Sequence, residues 1–234
     1  MKAIIYIHYG LGDNINMIGA VRYLSKDFEE FRVFCGNENY ARNIQRMYED
    51  SPHIKCIWDK NYNQNKPIPP HIRQRIEFGC EQRFVTGHFS KRNGSRQYDP
   101  KELPDCFYRD LDLDPEIQRT HFHIPKPLFS IDFPVPYIFV HQVASNSTLK
   151  IITWDVNEKL TIDPDNNLYP QDHVWYKIAN ICVNLDIVDY QDIISGADEV
   201  HVVDSCFFCL ARFLPLQAKI KKCYNRFTGE ISEI

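Results

Sequence analysis

Residues 3–14, Ala-Ile-Ile-Tyr-Ile-His-Tyr-Gly-Leu-Gly-Asp-Asn, restrict this chain more than any other segment. The apolar run Ala3 to Ile7 ends in two glycines and an aspartate, and apolar residues then recur at helical spacing. A strand, a tight turn and a helix start satisfy that order. Gly10 and Gly12 allow the turn and let a ligand approach the backbone. The helix start presents free N–H groups and a positive dipole end. Asp13 is a fitting N-cap, and it also puts a carboxylate beside the turn. A second junction follows Glu199-Val-His-Val-Val, where Asp204 and Ser205 precede an apolar helical stretch. One strand-to-helix junction in each half predicts an α/β fold of two Rossmann-like lobes facing a cleft.

The pattern between the junctions fits that class. Residues 2–8 read as a first strand. Met17, Ala20, Val21 and Leu24 stand at i, i+3, i+4 and i+7, predicting one amphipathic helix from Asp13 to about Asp27. Strands are expected at 31–35 and 53–58, with a helix over 40–50 whose inner face carries Ile44 and Met47. This alternation argues for a parallel sheet with right-handed crossovers. Residues 59–70 read as a polar, proline-rich loop, 82–89 as a strand, 105–113 as a helix and 121–124 as a small strand. The proline-punctuated stretch 124–136 is the expected linker, dividing an acceptor-side lobe at 1–128 from a donor-side lobe at 129–234. Beyond it, strands are expected at 137–142, 151–154, 159–162, 200–203 and 219–224. Helices are expected at 172–185, 190–195 and 206–214, the last apolar all round and therefore buried.

A length of 234 residues accommodates one large α/β domain or two small ones. A net charge of −4 argues against nucleic acid as the main partner. No apolar stretch approaches the ~20 residues of a transmembrane segment, and no signal-like core precedes the first turn, so a cytoplasmic protein is expected. Most of the eight cysteines fall within apolar strands or helices and read as buried free thiols.

The junctions narrow the chemistry. The third glycine of a dinucleotide fingerprint would fall at Ile15, and Cys35-Gly36-Asn37 ends the second strand without an acid. Both absences weigh against a Rossmann oxidoreductase. No Gly-Lys-Ser/Thr occurs, so a P-loop is absent. Asp13 suits a substrate hydroxyl better than a diphosphate and can act as a general base, with a plain helix cap as the simpler role. Ser205, Cys206 and the helix they open suit an anion, and Asp204 either anchors the turn or binds a sugar hydroxyl. Ser145, Asn146, Ser147, Thr148 and Lys150 form a polar turn that could grip leaving phosphates. His88 and His141 each end an apolar strand, where they bind substrate or serve structure. Cys206-x-x-Cys209, His121-x-His123 and the aspartates at 110, 112 and 114 each lack the further ligands a metal site needs.

The Gly10-Leu11-Gly12-Asp13 junction resembles that of heptosyltransferase-type glycosyltransferases of the GT-B fold. So does Ala197-Asp198, followed by the strand at 200–203 and Asp204-Ser205. That resemblance implies Asp13 as the acceptor-side base; Gly10, Leu11, Gly12, Asn14, His88 and His141 are expected around the acceptor or cleft from their places at strand ends and at the first turn. It implies Asp204, Ser205, Cys206 and the segment 143–150 on the donor diphosphate. Gly19 stands where those enzymes usually have proline, and Cys206 and Cys209 replace their late glycine and histidine. The expectation is transfer of a sugar from a nucleotide-sugar to a carbohydrate hydroxyl, with no metal and no bound cofactor. The rival is a non-catalytic nucleotide- or sugar-binding protein of the same fold.

Overall fold

The computed structural model describes residues 1–7, 10–59, 62, 67–87, 104–145 and 147–234. The chain divides into two compact units, Met1–Pro125 and Lys126–Ile234. In the first, β1 (Lys2–Tyr6), α1 (Leu11–Asn16), α2 (Ile18–Leu24), β2 (Glu30–Phe34), α3 (Glu38–Arg46), β3 (Ile54–Ile57), α4 (Pro70–Ile76), β4 (Gln82–Val85), α5 (Asp105–Asp110) and α6 (Ile117–Thr120) follow in order. The four strands form a parallel sheet in the order β3-β2-β1-β4, with Lys2 opposite Glu30 and Ala3 opposite Gln82. Central β1 is buried on both faces, which is why it reads as an unbroken apolar run. The chain passes from β1 through β2 to β3 on one side and returns to lay β4 on the other. The sheet's switch point therefore lies at the carboxyl ends of β1 and β4.

The single helix expected over 13–27 is two helices broken at Met17. The cause lies far away in sequence. The Tyr108 hydroxyl donates to the Asn16 carbonyl at 3.0 Å and accepts the Ala20 N–H at 3.2 Å. A continuous helix would pair those two groups with each other, so an inserted side chain splits the ladder. Gln118 Nε2 donates to the same carbonyl. Gly19 lets α6 approach: a Cβ there would lie 2.5 Å from the Ile117 carbonyl oxygen. The close packing of α6 gives position 19 its own reason for lacking a side chain.

Other expectations shift too. Residues 121–124 form no strand. Arg22 Nε donates to the His123 carbonyl at 2.6 Å, and His123 Nε2 turns to Asp50. His121 Nδ1 instead faces Thr120 Oγ1, so the two rings do not share a strand face. The loop expected over 59–70 gives way to α4 at Pro70, where proline opens a helix at no hydrogen-bond cost. The helix expected over 40–50 begins earlier, at Glu38, because Asn37 caps it by accepting the Asn39 N–H. Ile44 and Met47 are buried as expected.

The second unit contains β5 (Tyr137–His141), the hairpin β6 (Val143–Ala144) and β7 (Ser147–Thr148), β8 (Leu160–Ile162), α7 (Tyr176–Ile181), α8 (Gln191–Ser195), β9 (Glu199–Val203), α9 (Cys206–Ala211), β10 (Ile220–Tyr224) and β11 (Ile231–Glu233). Its sheet runs β11-β10-β9-β5-β8, parallel except for the antiparallel edge strand β11, which the sequence reading missed. Here β8 lies on one side of β5 and β9 on the other, so the switch point falls at the carboxyl ends of β5 and β9.

Residues 151–154 do not pair as a strand. Gln142 Oε1 accepts the N–H groups of Ile151 and Ile152 at 2.9 and 3.3 Å, taking the place of a neighbouring strand. The helix expected over 172–185 shortens to α7, and α9 is shorter than 206–214. Phe207, Leu210 and Ala211 of α9 are buried, whereas Cys206, Phe208 and Cys209 are only half-buried, so the helix is not enclosed all round. Among the described residues no helix is long and apolar enough to cross a membrane.

Candidate functional site

In the first unit the switch point holds Gly10, Leu11, Gly12, Asp13 and Asn14. Asp13 is not the N-cap. Gly10 is, and Asp13 sits three residues into α1, where its Oδ2 accepts the Gly10 N–H at 3.0 Å. The carboxylate thus reaches back over the turn to satisfy a donor the helix leaves open. Gly10 has a negative φ, so no left-handed conformation requires glycine there. Close approach does: a Cβ would come within 2.7 Å of Asp13 Oδ2. Asn14 is buried, its Nδ2 donates to the Gly10 carbonyl at 2.9 Å, and its Oδ1 has no hydrogen-bond partner among the described residues. His88, expected on this side, lies outside the described residues, as does Asn146 of the polar turn.

The second unit assembles its switch point from three strands. His141 ends β5, Ser205 follows β9, and Asp163 and Asp165 follow β8. Ser205 is the N-cap of α9, yet its hydroxyl makes no capping bond. It lies 3.0 Å from His141 Nδ1, and on the other side of the ring His141 Nε2 is 3.3 Å from Asp165 Oδ2. His141, expected at the acceptor or cleft, touches the serine assigned to the donor.

Asp163 supports this arrangement. Its Oδ1 accepts the Asp165 N–H at 2.9 Å and its Oδ2 accepts Gln142 Nε2 at 3.3 Å. Burial pushes its carboxyl above the usual carboxylate range, against the lowering effect of those hydrogen bonds. Burial also pushes the Cys206 thiol up to about 11, so it is neutral at physiological pH.

The remaining expected residues are distributed around this cluster. Asp204 pairs with Arg226 at 3.6 Å, which ties the junction to the turn between β10 and β11. Ser145, Thr148 and Lys150 are exposed, while Ser147 Oγ is buried without a hydrogen-bond partner among the described residues. Sequence reasoning missed Asp163, Asp165, Gln142 and Arg226. One signal was available: Asp163-Pro-Asp165 directly follows the strand at 160–162, at the end of a parallel strand where ligands bind. Among the described residues no group of three or more histidine, cysteine or acidic side chains is placed to hold a metal ion.

No protein-family model matches the chain, and no curated protein matches it in sequence. Its α/β architecture of parallel sheets is that of heptosyltransferase-like GT-B proteins. E. coli ADP-heptose LPS heptosyltransferase II aligns over 98% of this chain and 87% of its own, with a TM-score of 0.50 and 14% identity. The iron-containing dodecameric glycosyltransferase TibC from enterotoxigenic E. coli H10407 aligns over 94% of this chain, with a TM-score of 0.51 and 11% identity. The chain spans 59% of the TibC length. At such identities the likeness is one of fold.

Proposed function

We propose that the chain is a glycosyltransferase that moves a sugar from a nucleotide-sugar to a carbohydrate hydroxyl. The observation that carries this reading is that Asp13 and Ser205, one in each unit, both stand at the switch point of a parallel sheet, where such folds bind ligands. In this proposal the N-terminal unit is the acceptor side and Asp13 takes the proton of the attacking hydroxyl. The C-terminal unit is the donor side. Ser205 and the turn at 145–148 contact the diphosphate, and Lys150 offsets the charge that grows on it as the glycosidic bond breaks. A lysine in that role removes the need for a divalent cation, so the reaction proceeds with chelator present.

The likeness to an ADP-heptose enzyme supports placing ADP-sugars first among the donors to try. The test is incubation with ADP-, UDP-, GDP- and dTDP-sugars, following nucleoside diphosphate release and thermal stabilisation. Slow release from one nucleotide series, unchanged by EDTA, is the expected result. Stabilisation without release would make the chain a binding protein. Neither effect with any donor would end the transferase reading.

A further inference from the structure

We propose that a pocket at the amino ends of β2 and β3 binds a ring-bearing small molecule through a phosphate monoester, as a second site of the first unit. The pocket has a volume of about 540 Å³, the size of a small-molecule site. Arg22 of α2, Lys26 in the turn after it, His53 ahead of β3 and His121 at the end of α6 line it. All four strands of this sheet run parallel, so their amino ends lie opposite the end that carries Gly10 and Asp13. The ligand is thus a separate molecule from any bound at that switch point.

The charge of the lining is one-sided. Those four side chains are all basic, and among the described residues no carboxylate lines the pocket. The acids close by in sequence are engaged: Glu29 pairs with the N-terminal ammonium, Glu30 with Arg32, and Asp50 with Arg22 and His123. Lys26 has no acidic partner among the described residues; its ammonium rests 5.8 Å from the centre of the Tyr23 ring. Arg22 is held in place. Its Nε donates to the His123 carbonyl at 2.6 Å, Nη1 to Ser51 Oγ at 3.0 Å, and Nη2 to the Met47 carbonyl at 3.0 Å and to Asp50 Oδ1 at 2.8 Å. Those bonds use four of its five N–H groups and leave the second Nη1–H for a ligand. An arginine fixed this way has little side-chain freedom left to lose on binding. Donors that come from three segments of the chain suit the three free oxygens of a phosphate monoester better than the two of a carboxylate. Phe28 and Ile54 add an apolar wall. Ile54 is buried, and the half-buried Phe28 ring packs 5.7 Å from Phe31 and 6.1 Å from Phe84. An aromatic side chain held by two others gives the ring of a ligand a firm surface to lie on.

Phenyl phosphate is the probe, added to the full chain at constant ionic strength and followed by calorimetry and amide NMR. It should bind with a dissociation constant near or below about 1 mM and shift the amides of Lys26, His53 and Ile54. Absence of binding at about ten times that concentration would end the proposal outright. Shifts confined to Ser205 and α9 would place the phosphate in the second unit and overturn it as well. Benzoate and inorganic phosphate should each bind at least about fivefold more weakly, the first for want of an oxygen and the second for want of a ring. Equal binding of benzoate would overturn the choice of phosphate, and equal binding of inorganic phosphate the choice of a ring. Lys26→Glu should weaken phenyl phosphate roughly tenfold or more, and His53→Ala by about threefold or more. Lys177→Glu, the same charge change on an exposed residue of the second unit, should leave the affinity within about twofold. Equal losses in Lys26→Glu and Lys177→Glu would mean that net charge alone attracts the ligand, and the pocket would cease to be a site. Lys26 is exposed and His53 half-buried, so two separate variants keep the test open if one fails to fold.

Discussion

After β1 the chain closes on itself: Gly10, Asp13 and Asn14, within five residues, exchange the bonds that shape the turn. After β5 and β9 the corresponding turn of the second unit is tied by His141 and Ser205, 64 residues apart, with Asp165 from a third segment behind them. The first arrangement leaves a half-exposed carboxylate fixed by a backbone N–H; the second leaves a nearly buried hydroxyl fixed by a buried histidine ring. A local turn can place one charged group rigidly, since a three-residue loop has little freedom to lose. A contact between segments 64 residues apart is instead made only when the sheet sets their register.

The largest expected effect would break the first half of this contrast. Asp13→Asn keeps the acceptor for the Gly10 N–H but abolishes the base, so turnover should fall by roughly 10²- to 10⁴-fold while donor affinity stays within about twofold. Steady-state rates beside equilibrium binding check it, and equal losses in both would remove Asp13 from catalysis.

The second unit is sharpened by Gln142→Leu, which leaves the Ile151 and Ile152 N–H groups without their acceptor. We expect a loss of about 3 kcal/mol in denaturant unfolding, and faster hydrogen exchange at those two amides than elsewhere in the unit.

In the first unit Gly19→Ala drives a methyl group into the backbone of α6 and should cost about 1–3 kcal/mol, read from the same unfolding curves. A neutral result would show that α6 is free to move away from α2.

The smallest effect separates the units by pH. Burial, resisted by Glu199, lowers the pKa of His201, so the folded second unit prefers the neutral ring. The unfolded chain then binds the extra proton first, and stability should fall as pH drops through about 6.5. Burial opposes ionisation of Asp50 in the first unit, but the Arg22 guanidinium outweighs it and lowers the pKa. That contribution is present above the ordinary carboxylate pKa and is lost only as pH falls below about 4. Thermal melts of His201→Gln and Asp50→Asn should therefore flatten two different parts of the pH profile. A shared window would contradict both assignments.

Much of the fold was legible in the chain. Ala3 to Ile7 and Glu199 to Val203 read as buried strands because both faces of a parallel strand want apolar side chains. Gly10 and Asp13 marked their turn, although the capping role went to Gly10. Met17 to Leu24 gave the correct buried face but not the break, because periodicity carries no trace of a tyrosine 88 residues away from Ala20. Residues 151–154 looked like a strand for the same reason, since no local pattern says that a glutamine will supply the acceptors.

By itself the sequence determined the main alternation of strands and helices, the two glycine- and serine-marked junctions and the α/β class. Each of these depends on the period of apolar residues or on the backbone freedom of a few positions, which neighbours along the chain can specify. Only the tertiary structure decided that Ser205 would face His141, that Asp165 would stand behind the ring, and that Tyr108 would split the first helix. Hydrogen bonds between side chains of distant strands exist only once the sheets have set their register, and no local pattern contains that information.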